Sequence, residues 1–529
     1  MPIPMSRRDA LYSLGALFAV PFLRMPRIPV DPLEGSILGY QAGRASGAWT
    51  ATEVVRLAID RSYRYNRALH FTDLLADSAL EEAAASDARA RRGRLISPLD
   101  GVPVFAKSIH DVRGLPTTAS STAWATLFPE PVQRDAIEVA RLRRAGAVIL
   151  GKSAADDFAY RGNGTSSLSG QVENPYDKTR THSPGGSSAG SSVAAACAVA
   201  FGGLGTDDGG SNRIPAQFTG VVGFKPTFGA VPRTGTLPTW PYLDHHGPMC
   251  RFVADAALIF DVLAGPDGDD ALALAAPYQS GKLGALRDDA LRGARIGLSS
   301  AHVPRDQMSA ESVANFDAAV AAIREAGAEV IETSPEVAPG SYRRLFSEAA
   351  SKRGDIEPDP NSPAPTANAL LRYFQGHPGD ARAMVRRGHG IFRDFYDVLP
   401  VEWNEMAKLI EQPYEKDPAG QSFARSRATV IENLAATFRE HRLDAMVHPT
   451  MPFPATPTNG RWPRIPTTLS YGNWLGNPEV SVPAGYNADG MPAGNISFAG
   501  LPGSDARVLE LAHSWERATR HFKVAPSPV

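Results

Sequence analysis

Along the first half of the chain, segments with apolar residues at helical spacing alternate with short continuous apolar runs. Residues 51–63 are amphipathic at helical spacing behind a capping Thr50, and residues 77–92 are rich in Ala, Glu and Arg. Short apolar runs at 102–106 and 147–150 read as buried strands. This alternation predicts an α/β fold with a central twisted, mixed and mostly parallel sheet, covered by helices on both faces.

The same pattern returns in the second half. Strand-like runs at 291–298 and 326–331 bracket a helix, and further strand-like runs follow at 443–447 and 479–482. Residues 335–440 are more polar and include helical segments. The pattern predicts one large domain over residues 31–529, with a variable helical region around 300–440.

The N-terminal segment has the character of an export signal. An apolar run over residues 11–23 follows Ser6-Arg7-Arg8, and it is shorter than the roughly 20 residues that span a bilayer. The paired arginines resemble a twin-arginine signal, so residues 1–30 predict an exported, periplasmic or secreted protein. The alternative is an N-terminal helix that packs on the domain.

Composition narrows the function classes. The chain has 54 basic and 56 acidic residues, a formal charge of −2, which argues against a nucleic-acid or polybasic membrane surface. Only two cysteines are present, so no disulfide scaffold is expected. The twelve histidines form no HExxH motif and no Cys/His cluster, so we expect no metal and no cofactor.

One glycine-rich segment places a serine where a nucleophile would be useful. Gly209 and Gly210 allow the backbone to approach a substrate closely before Ser211. Backbone N–H groups near Asp208, Gly209 and Gly210 would then form an oxyanion hole. The alternative is an ordinary Gly/Ser turn.

A second segment, residues 185–192, has the composition of a Gly/Ser linker, but an apolar helix follows it directly. It also satisfies the G-x-S-x-G pattern, with Ser188 at the centre. That nucleophile elbow requires a preceding strand. Residues 174–184 are polar and contain two prolines, so we reject the elbow.

Lys107 ends the apolar run at 102–106. A lysine at the end of a strand is commonly a solvated charge. Here Phe105, Ala106 and Ile109 surround it in sequence, which favours a desolvated amine. Burial favours the neutral amine, the form that acts as a base.

Taken together, these segments resemble the amidase signature family. The spacing of 24 positions between Ser187 and Ser211 matches the family, and the resemblance covers residues 35–520, weakest between about 300 and 440. The matching segments are Gly101-Val102-Pro103 with Lys107, then residues 146–152, 184–190, 205–216, 220–227, 247–249, 477–478 and 482–485.

The resemblance implies a role for each residue. Ser211 is the acyl-forming nucleophile, Ser187 is a relay serine preceded by a cis peptide bond, and Lys107 is the base. Ser188 and Arg213 support the site by hydrogen bonding. The implied reaction is hydrolysis of a small-molecule carboxylic amide to a carboxylate and an amine or ammonia, without a cofactor.

Other functions share these motifs. An ester or carbamate hydrolase would use the same three residues. A glutamine amidotransferase subunit for tRNA also carries them, but it works with partners in the cytoplasm, and the export signal argues against it. A non-catalytic binding protein would not need the whole set. We expect no nucleic-acid partner and no membrane contact of the mature form; the sequence does not indicate an oligomeric state.

Two departures from the family pattern lie in the third segment. Asp208 stands where the family often has Thr, and Asn212 where it often has Ile. A carboxylate at Asp208 would oppose a developing oxyanion. Its side chain is therefore expected either to point away or to bind a cationic or hydrogen-bond-donating substrate.

Four aromatic residues lie in segments that the family resemblance indicates to be variable, and two interpretations of them remain open. They either line an apolar acyl pocket or pack in the core. These residues are Tyr242, Trp462, Tyr471 and Trp474.

Overall fold

The computed structural model describes residues 28–270, 273, 286–333, 341–396, 401–412, 416–458 and 460–529. The predicted export signal at residues 1–30 lies almost entirely outside the described residues. In the part of the chain that is described, no helix has the length and apolar character needed to cross a bilayer.

One sheet of eleven strands organises the molecule, and a separate two-stranded ribbon is formed by β4 and β5. The strand order in the large sheet is β1-β3-β2-β6-β8-β7-β12-β13-β11-β9-β10. The strands are β1 Thr72–Leu75, β2 Pro103–Lys107, β3 Val148–Ser153, β4 Thr165–Ser166, β5 Gly170–Gln171, β6 Gly202–Asp207, β7 Val222–Lys225, β8 His245–Cys250, β9 Arg295–Ser299, β10 Glu329–Thr333, β11 Ala445–Pro449, β12 Glu479–Tyr486 and β13 Pro492–Ala499.

The pairing directions divide this sheet into blocks. Strand β2 runs parallel to both β3 and β6, and β9 runs parallel to both β10 and β11. The strands between these blocks pair antiparallel, from β6 through β8, β7, β12 and β13 to β11. The prediction of one α/β domain around a mixed sheet is confirmed.

Helices flank the sheet. They are α1 Ile37–Ala45, α2 Ala51–Leu69, α3 Ala79–Arg91, α4 Thr122–Leu127, α5 Ile137–Arg144, α6 Ala189–Ala196, α7 Arg213–Phe218, α8 Val253–Leu263, α9 Ala310–Glu325, α10 Tyr342–Arg353, α11 Pro363–Gln375, α12 Ala381–Tyr396, α13 Trp403–Glu411, α14 Pro418–His441, α15 Leu469–Leu475 and α16 Asp505–Thr519. Six of them, α9–α14, occupy the region predicted to be helical around 300–440.

The N-terminus of α2 shows why its sequence forms a helix there. The Thr50 hydroxyl accepts the Glu53 N–H at 3.2 Å, and the Glu53 carboxylate accepts the Thr50 N–H at 2.7 Å. This reciprocal capping box satisfies two backbone donors that the first turn leaves unpaired. The helix extends to Leu69, beyond the predicted end at residue 63.

The segment before Ser188 decides between the two interpretations of the G-x-S-x-G pattern. Residues 174–184 are all described, and they form turns and one isolated bridge at His182 rather than a strand. The sequence 189–196 forms α6 immediately afterwards. The rejection of a strand-borne nucleophile elbow is therefore supported by the backbone.

Candidate active site

The site forms where two parallel strands end. Lys107 is the last residue of β2 and Asp207 is the last residue of β6. The two strands pair parallel, with Val104 opposite Gly202. Their carboxyl ends therefore meet at one edge of the sheet, where ligands commonly bind in α/β proteins.

Three hydroxyl groups surround the Lys107 amine. Nζ donates to Ser187 Oγ at 2.8 Å, to Ser188 Oγ at 2.9 Å and to Thr206 Oγ1 at 2.8 Å. All four side chains are fully buried. The structure thus brings Lys107, Ser187 and Ser188 together as the motifs indicated, and adds Thr206, which sequence reasoning missed although it lies inside the matched segment.

The environment of Lys107 favours the neutral amine. Burial lowers its pKa to about 8, although nearby carboxyl groups, led by Asp208 and Asp244, act to raise it. An ammonium can donate to all three hydroxyls. A neutral amine donates to two of them and accepts a proton from the third, which is the arrangement that a general base needs.

Asp156 contacts the loop that carries Ser187. The Gly186–Ser187 peptide bond is cis. The Asp156 N–H donates to the Ser187 carbonyl at 3.3 Å, and its carboxylate accepts the N–H groups of Asn163 and Gly164 at 2.9 and 2.7 Å. Burial raises the pKa of Asp156 to about 7. Nothing in the local sequence marks this aspartate, because its partners lie on other loops.

The Ser211 turn packs against the Ser187 loop. The Ser188 N–H donates to the Ser211 carbonyl at 3.2 Å, and Ser211 itself is buried. Ser188 Oγ also lies 3.2 Å from Asn212 Oδ1. Ser188 and Asn212 therefore join the two serine-bearing segments, and the substitution of a frequent Ile by Asn212 has a structural use.

Asp207 holds the turn from the opposite side. Its carboxylate accepts the Gly210 N–H at 2.6 Å and the Asn212 N–H at 3.2 Å. The prediction that the Gly210 amide serves an oxyanion hole is therefore corrected, because this N–H is already engaged by Asp207. The amides at Asp208 and Gly209 are the remaining ones of the three.

Arg213 anchors Asp207 in turn. Two guanidinium nitrogens, Nε and Nη2, each donate to the Asp207 carboxylate at 2.9 Å, and Nη1 donates to Glu479 at 2.8 Å. Burial alone would raise the pKa of Asp207, but Arg213 holds it well below the usual range. Arg213 is thus placed in the support of the turn, away from the Lys107 hydroxyl cluster.

Asp208 lies next to this network but takes no part in it. Its side chain is buried, and among the described residues neither of its carboxylate oxygens has a hydrogen-bond partner. Burial, followed by the nearby Asp244, raises its pKa well above the ordinary value. The charge of Asp208 is also the first of several nearby carboxyl charges that act to raise the pKa of Lys107.

Two histidines and a glutamate form a second buried polar cluster. Glu138 Oε2 lies 2.7 Å from His246 Nδ1 and 3.0 Å from His110 Nε2, and all three side chains are buried. Their ligand atoms lie within 4.8 Å of one another, close enough to hold a metal ion. The sequence shows no such motif because the residues come from three separate segments; as placed, they pair with one another.

The aromatic residues considered for a pocket divide into two groups. Tyr242, Tyr471 and Trp474 belong to a buried cluster with Phe346 and Phe423 on α10 and α14. These three are core residues. Trp462 is partly buried, and its indole N–H donates to Asn163 Oδ1 at 2.9 Å, beside the loop that Asp156 holds.

Comparison with known proteins agrees with this architecture. The family model described as Amidase matches residues 53–509. The native peptide amidase from Stenotrophomonas maltophilia superposes with a TM-score of 0.78 at 30% sequence identity, covering 95% of this chain and 100% of that one.

Similar sequences bear a different name. The A subunit of glutamyl-tRNA(Gln) amidotransferase from Anaeromyxobacter sp. strain K is 41% identical over 520 residues, covering 92% of this chain and 96% of that protein. The protein of the same name from Symbiobacterium thermophilum is 32% identical over 501 residues, covering 91% and 96%. Given the family match over most of its length, the chain belongs to the amidase signature family of enzymes, which act on amide carbon–nitrogen bonds.

Proposed function

We propose that the chain hydrolyses a small-molecule carboxylic amide through an acyl-enzyme on Ser211. The observation that carries the proposal is the 2.8 Å contact between the buried Lys107 amine and Ser187 Oγ, one loop away from Ser211. A buried amine of lowered pKa is able to accept a proton near neutral pH, which serine hydrolysis requires of its base.

The proton path follows the order of the residues. Ser211 Oγ attacks the amide carbonyl carbon and gives its proton to Ser187 Oγ, while the Ser187 proton passes to Lys107 Nζ. When the carbon–nitrogen bond breaks, Lys107 returns the proton through Ser187 to the leaving nitrogen. Water then attacks the Ser211 ester by the same path, releasing the carboxylic acid and restoring the serine.

The oxyanion of the tetrahedral intermediate needs donors beside Ser211. The backbone N–H groups of Asp208 and Gly209 are assigned this role in the proposal. Two glycines before the serine keep side chains out of the space above the turn. Ser188 and Thr206 keep the Lys107 amine in place through their hydroxyls.

A matched pair of serine variants tests the assignment. Ser211→Ala should lower amide hydrolysis by at least about 10³-fold, because the acyl-enzyme cannot form. Ser192→Ala is the control: this buried serine donates only within its own helix, to the Ala189 carbonyl at 2.8 Å. Ser192→Ala should keep near-full activity. Near-full activity of Ser211→Ala would exclude the proposal.

The second candidate is the glutamine-hydrolysing component of an amidotransferase. It is favoured by the similar sequences, since the relatives at 41% and 32% identity both carry an amidotransferase name. The first chemical step is the same, with glutamine as the amide. The two candidates differ in what happens to the ammonia, which a hydrolase releases and an amidotransferase passes to a partner.

Purified chain without any partner distinguishes them. A free-standing hydrolase releases ammonia from short-chain, aryl or peptide C-terminal amides at steady rates. An amidotransferase component hydrolyses glutamine and depends on an added or co-purifying partner protein. An ester and carbamate panel with matched leaving groups tests the remaining alternatives, because the same acyl-enzyme forms from each of these bonds.

The export of the protein is a separate proposal. It rests on the paired Arg7 and Arg8 and on the apolar run that follows. A reporter fused behind residues 1–30 should be exported, and the double change Arg7→Lys and Arg8→Lys should retain it in the cytoplasm. A reporter that stays in the cytoplasm with the natural sequence would contradict the proposal and favour the cytoplasmic candidate.

A further inference from the structure

Asp207 and Asp208, at the end of β6, are both buried but differ in their hydrogen bonds. The Asp207 carboxylate accepts hydrogen bonds from the backbone of its turn, from Arg213 and from Asn473. The Asp208 carboxylate accepts none among the described residues, although only 5% of its surface is exposed. Burial of an unpaired carboxyl group is unfavourable, so stability of the fold does not explain Asp208.

The strand geometry places Asp208 on the reactive side of the sheet. Successive side chains along a strand point to opposite faces. Thr206, two positions earlier, contacts the Lys107 amine, whereas Asp207 points to Arg213 on the other side. Asp208 is the first residue after the strand, so continuation of this alternation by one residue puts it on the face of Thr206 and Lys107, directly before the Gly209-Gly210-Ser211 turn.

A second carboxyl group faces it from the neighbouring strand. The β6–β8 register pairs Thr206 with His246 and ends with Asp207 opposite His245, so Asp208 and Asp244 are the next residues beyond the paired ends of the two strands. Besides burial, the charge of Asp244 acts to raise the pKa of Asp208, which agrees with a short separation between the two carboxyl groups. Asp244 Oδ2 contacts His246 Nε2 at 3.1 Å, while its Oδ1 has no hydrogen-bond partner in the part of the chain that is described. Asp208 and Asp244 thus carry three buried carboxylate oxygens that have no hydrogen-bond partner among the described residues.

Resting on the proposed function, we infer that Asp208 and Asp244 form a buried subsite for a cationic group of the substrate. The ligand class is an amide whose acyl part bears an ammonium group. Asp208 lies three residues from Ser211, so their Cα atoms are at most about 10 Å apart, and one small ω-amino amide can contact both residues.

The charges around the pair support this class of ligand. An ammonium has N–H donors for the unpaired oxygens, and its positive charge offsets the repulsion between two buried carboxyl groups. His246 contacts Asp244 Oδ2 at 3.1 Å and Glu138 Oε2 at 2.7 Å. These two carboxylates raise the pKa of His246 to about 10 in spite of burial. Asp244 is therefore oriented before any substrate arrives.

A series of paired amides measures the subsite. Straight-chain ω-amino amides, with one to five methylenes between ammonium and carbonyl, are compared with the uncharged alkyl amides of equal length. The wild-type enzyme should favour at least one ω-amino amide over its alkyl partner by about 10- to 100-fold in kcat/KM, as hydrogen bonds to charged groups allow. Equal values at every length would overturn the inference.

Variants identify the residues responsible. Asp208→Asn and Asp244→Asn should each remove most of the preference for the ammonium, measured as the ratio of kcat/KM for the ω-amino amide to kcat/KM for the alkyl amide of equal length, and the double variant should lower this ratio little further. Asp489→Asn, on an exposed turn, is the matched control and should keep the preference. A preference that survives in both single variants would overturn the inference.

The inference and the proposed function fail differently. If alkyl and ω-amino amides react equally and Ser211→Ala abolishes both reactions, the subsite is excluded and the hydrolase stands. If Ser211→Ala keeps its activity, the proposed function itself is excluded. Thermal unfolding of Asp208→Asn gives a further check: a variant at least as stable as the wild type fits a carboxyl group kept for binding, and a large loss of stability contradicts it.

Discussion

At the scale of single residues, the proposed mechanism depends on the protonation state of Lys107. Its amine lies in a ring of three hydroxyls, at distances of 2.8–2.9 Å, and is fully buried. Lys152, on the neighbouring strand, is equally buried and has a pKa likewise lowered to about 8, but it contacts Thr117 and the Ser108 carbonyl. Burial alone therefore does not distinguish a base; the serine partners do.

The pH dependence of hydrolysis should follow Lys107. The pKa of this group is about 8, lowered mainly by burial, and only the neutral amine accepts a proton. The rate should therefore rise with pH through about 8 and then level. Measured kcat/KM for an uncharged amide between pH 6 and 10 checks this, and a rate that falls over that range would contradict a neutral lysine base.

Removal of the Lys107 amine tests its proposed role as the base. Lys107→Met should lower kcat by about 10²- to 10⁴-fold, the usual contribution of general acid–base catalysis. Lys178→Met, at an exposed position, serves as the control and should be unaffected. Circular dichroism of both variants separates a loss of catalysis from a loss of folding.

At the scale of elements, the Ser187 loop, which precedes α6, and the Ser211 turn, which follows β6, are fixed against each other. Asp156 holds the Ser187 loop from one side, and Asp207 holds the Ser211 turn from the other. The Ser188 N–H then joins the loops by donating to the Ser211 carbonyl. The Asp207 carboxylate thus positions the Ser211 turn and the Asp156 backbone N–H positions the Ser187 loop, and neither group is a hydrogen-bond partner of the Lys107 amine.

A methyl group at Gly186 should disturb this arrangement. A Cβ there would overlap the Asp156 carboxylate and approach the Gly164 amide to 2.8 Å, so the loop would have to shift. Gly186→Ala should lower kcat/KM by more than tenfold. Gly494→Ala is the control, because a Cβ at Gly494 meets nothing within 4 Å. Equal activities of the two variants would contradict the role given to Asp156 in holding the loop.

The Asp207 side chain is expected to matter for stability. Asp207→Asn removes one of the two carboxylates that pair with the buried Arg213, so that only Glu479 remains, and should cost up to about 3–5 kcal/mol of unfolding free energy, the usual effect of breaking a buried ion pair. Chemical denaturation of Asp207→Asn and Asp208→Asn side by side measures the contrast. A similar loss in both variants would contradict the different roles assigned to these neighbours.

The sequence predicted the elements best where its signals were local. The cap at Thr50 and the strand that ends at Lys107 both depend on residues close in sequence, and each has the expected form. Thr206 and Asp156 were missed because their partners lie on segments distant in sequence. The engaged amide of Gly210 could not be foreseen either, since it depends on how the Asp207 side chain folds back.

At the scale of the whole molecule, one sheet carries the site. Every strand of it lies between Thr72 and Ala499, and its parallel block around β2 brings Lys107 and the β6 turn to one edge. The helices α9–α14 belong to the region where the resemblance to the family is weakest. We therefore assign the proposed reaction to residues at this sheet edge, and we expect differences in substrate to arise from the segments around it.

The site should function without the predicted export signal. A variant restricted to residues 31–529 retains every described strand and helix. Its kcat/KM for the best amide substrate should stay within about twofold of the full chain. A loss of more than tenfold, with the variant still folded, would mean that the first thirty residues contribute to the active domain.

Covalent capture of the nucleophile tests the central claim most directly. The enzyme is quenched in acid during turnover of an activated aryl amide, and its intact mass and peptide map locate the acyl group. We predict one acyl group, on Ser211, in the wild type, none in Ser211→Ala, and a slower appearance of the acyl group in Lys107→Met. An acyl group on Ser187 or Ser188, or one that persists in Ser211→Ala, would contradict the assignment of Ser211 as the nucleophile.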